Sequence, residues 1–146
     1  HWQRQYLHPA MQAFDAPSRE ECASDRARSN TPLQSLVLLN DPIQVESARA
    51  LANRALEDKS AKGDGDRIRL LFRWALQRQP EPIELATLED LLGSQRKQYL
   101  SRPGEAEKLL AVGVLPNSSS YPAPEQAAWT SCARVLLNLH ETIARE

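Results

Sequence analysis

Cysteine is scarce. Cys22 and Cys132 are the only two in 146 residues, which excludes a disulfide-stapled scaffold and a zinc site built on four thiolates. Histidine is almost as sparse. His1, His8 and His140 lie far apart, with no H-x-x-x-H or C-x-x-C pairing, so no metal site is expected. Neither cysteine opens a C-x-x-C-H motif, so no c-type haem is attached covalently by that motif. Long apolar runs are missing too, and none approaches the ~20 residues that span a bilayer. A basic excess is also absent: 18 Lys+Arg stand against 19 Asp+Glu, for a net charge of -1. That balance argues against a nucleic-acid partner. No segment sustains a period of two, so no sheet is expected.

What is present is helical punctuation. In R-A-R-S-N-T-P-L-Q-S-L-V-L-L-N-D-P, Arg26 to Pro42, Thr31 suits an N-cap, Pro32 the first helical position, and Gln34 completes a capping box. The nearly all-apolar helix that follows, Pro32–Asn40, is expected to be buried on most sides. Asp41-Pro42 then caps a second helix to about Asp58, with Val45, Ala48, Leu51, Ala52, Ala55 and Leu56 inward and Arg49 and Arg54 outward. This helical hairpin is expected to be the centre of the bundle.

Asp66 is expected to cap a third helix, about Arg67–Arg78, in which Ile68, Leu71, Phe72, Ala75 and Leu76 recur at helical spacing. Q-P-E-P breaks it, and Pro82 starts a fourth with Leu85, Leu88, Leu91, Leu92 and Tyr99 on one side. A short helix, about Glu105–Val112, and a turn-rich loop, Gly113–Pro124, lead to a last helix, about Glu125–Arg145. Its inward residues are Ala128, Trp129, Cys132, Val135, Leu136, Leu139 and Ile143. The expected fold is all-α: one irregular helical bundle of about five to seven helices and no sheet. Residues 1–146 read as a single helical domain, with 1–30 an N-terminal arm and loop and 31–146 the bundle. The arm carries Trp2, Tyr6, Met11 and Phe14, which favour docking over exposure.

Chemistry is harder to find. Cys22 and Cys132 leave two readings open, one disulfide or two separate thiols. Ser29 or Cys22 with His8 lacks any positioned base, there is no G-x-S-x-G elbow, and no catalytic residue is assigned. The candidate site is the cluster Arg26, Arg28, Ser29, Asn30 and Thr31 at a helix N-terminus, where backbone N–H groups and the dipole favour an anion. In the simpler reading Arg26 and Arg28 pair with Asp15, Glu20, Glu21 or Asp41 and lock the loop down.

Several stretches carry a resemblance: L-H-P-A-M-Q-A-F-D-A-P-S-R-E-E-C (Leu7–Cys22), R-S-N-T-P-L-Q-S-L-V-L-L-N-D-P (Arg28–Pro42), R-I-R-L-L-F-R-W-A-L-Q-R-Q-P (Arg67–Pro80) and A-W-T-S-C-A-R-V-L-L-N-L-H-E-T (Ala128–Thr142). Together they resemble the C-terminal end of a planctomycete-type domain of unknown function found in large exported proteins. Those proteins often carry a planctomycete-type cytochrome c domain as well. Relatives often read A-L-G-R-x-P where this chain has A-L-Q-R-Q-P. The resemblance implies export, a longer parent with upstream domains, and haem only in a different domain, so no cofactor in this chain. It supplies no established catalytic residues. The expectation is therefore a helical structural or interaction domain whose partners are the parent's upstream domains, another protein or a carbohydrate. The alternative is an anion or substrate site at Arg26–Thr31 in an enzyme completed by upstream domains.

Overall fold

The computed structural model describes Leu36, residues 39–117 and 119–139, and Thr142. The chain divides into two compact units, residues 1–41 and 42–146. In the first, Leu36, Leu39 and Asn40 are helical, and the Asn40 amide donates to the Leu36 carbonyl at 2.9 Å. Leu36 is 56% exposed and Leu39 half-buried. All-round burial of that helix is thus not what Leu36 shows. Leu38 lies outside the described residues.

The described residues of the second unit form five helices: α1 (Pro42–Glu57), α2 (Asp64–Leu76), α3 (Pro82–Ser101), α4 (Pro103–Leu110) and α5 (Ala123–Leu137). No strand occurs among the described residues, and the fold is all-α. α5 is the centre. It packs against the other four helices, most extensively α1, and buries Gln126 to Thr130, Cys132, Ala133 and Leu136. The reason is side-chain size. Ala127, Ala128 and Ala133 of α5, and Ala48, Ala52 and Ala55 of α1, are all fully buried. Such short side chains let helix backbones approach closely. Trp129, fully buried, fills the volume that the alanines leave. The sequence had pointed to the hairpin of Pro32–Asn40 and the helix that follows it to about Asp58; the second of these, α1, contributes Val45, Ala48, Ala52, Ala55 and Leu56 to the core, while most of the first lies outside the described residues.

Helix ends follow local chemistry, with some shifts. α2 starts one turn before the expected Asp66 cap, with Gly63 at the N-cap. Asp66 sits in the first turn and accepts the Lys62 N–H at 3.2 Å. α2 ends on Gln77 at φ 58°. α3 opens at Pro82, as expected, and the Glu84 carboxylate accepts the Glu81 N–H at 2.7 Å. α5 stops at Leu137, eight residues before the expected Arg145, where Asn138 caps it and the Thr142 hydroxyl donates to the Leu136 carbonyl at 2.7 Å.

Two facings differ from the sequence pattern. Val135 is 40% exposed rather than inward, and Arg49 is buried, 4% exposed, rather than outward. Arg49 falls three residues before Ala52 and four after Val45, so it lies on the buried stripe of α1.

Candidate functional site

The loop between α4 and α5 is laid along α1 by side chains from that helix. The Glu46 carboxylate accepts the N–H groups of Val114 at 2.5 Å and Leu115 at 3.3 Å. One turn on, the Arg49 guanidinium donates to the carbonyls of Leu110 and, at 2.6 Å, Leu115. Leu110 is the last residue of α4, so Arg49 also meets the negative end of that helix dipole. The Tyr121 hydroxyl donates to the Leu56 carbonyl at 2.7 Å and holds the far end of the loop.

Between α1 and this loop runs a groove of about 520 Å³, walled by Arg49, Asn53, Arg54 and Glu57 on one side and by Leu115 and Pro116 on the other. A row of amides lies beside it. Asn53 reaches Asn117 at 3.4 Å, and the Asn117 amide donates to Gln126 Oε1 at 2.6 Å. Gln126 is 1% exposed. Both ends of the row are unpartnered, at Asn53 Oδ1 and Gln126 Nε2.

Away from the groove, several charges are held in ion pairs. Arg96 on α3 grips both Asp64, at the start of α2, and Glu125 on α5, with Nη1 to Asp64 Oδ2 and Nη2 to Glu125 Oε1 each at 2.5 Å. The Trp129 indole N–H donates to the same Glu125 carboxylate at 2.9 Å. Hydrogen bonds from Arg96 hold both carboxyls below their ordinary range. Arg78 pairs with Glu84 through two nitrogens, at 2.7 and 2.8 Å, and lowers that carboxyl to about 2, helped by the Glu81 N–H. Arg67 pairs with Asp64, Arg69 with Asp66 and Arg102 with Glu105.

A second hollow, about 190 Å³ and mainly apolar, opens between the first turns of α3 and the last turn of α5. Phe72, Leu88 and Leu136 line it as buried residues, with Ile83 and Val135 exposed beside them.

The site residues expected from sequence, Arg26, Arg28, Ser29, Asn30 and Thr31, lie outside the described residues, as do His8, Asp15, Glu20, Glu21, Cys22, the aromatics of the arm, His140 and Ile143. Cys132 is a free, buried thiol. Among the described residues no group of three His, Cys, Asp or Glu is placed to hold a metal. No helix among them is long and apolar enough to cross a membrane. Sequence reasoning missed Arg49, whose signal was its place in the inward stripe of α1. It also missed the amide row, for which sequence held none.

In comparison with known proteins, the model of one family, described as "PSD1: Protein of unknown function (DUF1553)", matches residues 1–92. The match includes α1 and α2, runs into α3, and so contains the α1 wall of the groove. No curated protein and no solved structure matches the chain.

Proposed function

The chain belongs to the PSD1 family of proteins of unknown function, and from that premise we propose that it works as a helical interaction module. Its contact face is the apolar hollow between α3 and α5. The observation that supports this is the exposure of Ile83, at 72%, and Val135, at 40%, on either side of a pocket lined by Phe72, Leu88 and Leu136. Exposed apolar side chains gathered beside a preformed hollow are how interaction sites differ from scattered surface leucines. The partner in this reading is another domain of a longer, exported, planctomycete-type protein, in line with the sequence resemblance; haem, where such a parent carries it, belongs to a separate cytochrome c domain.

The test is cross-linking mass spectrometry on the full-length gene product with a photoreactive side chain at position 83. Cross-links from that position to another domain, lost in Val135→Asp while the melting temperature holds, support the reading. Labelling by solvent alone rejects it. The second reading from the sequence, an anion site at Arg26–Thr31 in an enzyme completed by upstream domains, rests on the capping pattern. It is checked separately by phosphate binding to the wild type and to Arg28→Ala.

A further inference from the structure

The polar groups in the lining of the hollow between α3 and α5 are already engaged inside the chain. Apart from apolar side chains, Glu84 and Thr87 line it. The Glu84 carboxylate accepts two Arg78 nitrogens, at 2.7 and 2.8 Å, and the Glu81 N–H at 2.7 Å. The Thr87 hydroxyl donates to the Ile83 carbonyl at 2.7 Å. Arg78 neutralises Glu84 and lies over the Phe72 ring, 5.3 Å from the centroid. A charged group set into this hollow leaves water and meets no opposite charge that is not already paired. Charge complementarity therefore selects an uncharged occupant.

Size narrows the choice. The hollow measures about 190 Å³, less than the about 300–1,000 Å³ of sites that enclose a drug-sized molecule. An apolar cavity of about 150 Å³ holds a group the size of benzene. There is thus room for one large apolar side chain.

Given the interaction module proposed above, on which this rests, we infer that the other domain enters the hollow with a single uncharged anchor, one leucine-sized or phenylalanine-sized side chain. The anchor packs on Phe72, Leu88 and Leu136. Ile83 and Val135 close around it and keep water out, as the ring of contacts about a hot spot does. No ion pair crosses the contact at the hollow, because Arg78 and Glu84 serve each other. The contact is dry and insensitive to salt.

The experiment uses the full-length gene product with an aliphatic diazirine side chain at position 83. Cross-linking is run at about 0.05 and about 0.5 M NaCl, a range over which exposed charges become screened, and fragment spectra identify the residue attached. Attachment is expected next to a leucine, isoleucine, methionine or phenylalanine of another domain. The yield is expected to change less than about twofold with salt. It is expected to fall about tenfold or more when that one residue is changed to alanine. Thr87→Lys, at an exposed position in the lining, is expected to cut the yield by a similar factor while the melting temperature holds. Cross-links to another domain that centre on a charged residue, that fall about tenfold in the higher salt, or that survive the alanine change or Thr87→Lys at full yield overturn the anchor and leave the interaction module standing. Cross-links to no other domain overturn both.

Discussion

The carboxylate of Glu46 occupies the space in which a side chain on Gly113 would begin. A β-carbon there would run into Glu46 Oε2 and would lie 2.9 Å from Glu46 Cβ, and Gly113 itself has φ +107°. Glycine is thus required twice, for its backbone angle and for the closeness of the carboxylate that holds the Val114 and Leu115 N–H groups. Gly113→Ala is expected to destabilise by about 1–3 kcal/mol. Gly93, inside α3 with nothing within 4 Å of its added β-carbon, is the control. Gly93→Ala is expected to stabilise by about 0.5–1 kcal/mol. Urea unfolding of the two variants checks both signs, and a neutral Gly113→Ala would contradict this account of the turn.

Arg49→Met keeps much of the stem's volume and removes the guanidinium. It leaves the Leu110 and Leu115 carbonyls without their donor. Loss of two charge-assisted hydrogen bonds on a buried residue is expected to cost about 2–4 kcal/mol. Hydrogen exchange is expected to accelerate over residues 110–117 more than in α3. Uniform acceleration across all helices would show instead that Arg49 serves the core at large.

Asp64 and Glu125 both have folded values below their unfolded ones because Arg96 hydrogen-bonds the charged forms. In the acid range, between the folded and the unfolded values, the native state therefore binds fewer protons than the unfolded chain. The stability this gives is present above the unfolded carboxylate values, near pH 4, and is lost as the pH falls through the lower folded values. Glu84, lowered to about 2, adds in the same direction. Arg96→Leu is expected to lower stability at pH 7 and to flatten its fall between about pH 5 and pH 2. Denaturant midpoints at several pH values measure the slope, and an unchanged slope would show that the triad is not responsible.

Cys132 is fully buried, and desolvation pushes its thiol up to about 12. The thiolate is the reactive form, so this cysteine is expected to resist iodoacetamide in the folded protein and to react once denatured. Peptide mass spectrometry reads position 132 in both states. Rapid labelling of the folded chain would place the thiol at the surface.

Much of the helical plan was legible in sequence. Pro42 and Pro82 open two helices through local chemistry alone, because proline fixes φ and donates nothing, whereas α4 opens at Pro103, two residues before the expected Glu105. The 3.6-residue spacing of Ile68, Leu71 and Phe72 is visible in any window and correctly names buried residues. Less legible was the weight of α5, whose alanines look weak on a hydropathy scale and gain importance only as surfaces for close packing. The candidate site was illegible for a different reason: its walls come from residues 46–58 and 115–116, which no window spans.

The sequence by itself determined the class of structure and the helix starts at Pro42 and Pro82, since each depends on neighbours along the chain. Tertiary structure decided what the charges do. Arg49 and Arg96 are both arginines within helices. One ends on backbone carbonyls beside a groove and the other between two carboxylates. The difference lies in partners 29 to 66 positions away, which are brought near only when the helices pack.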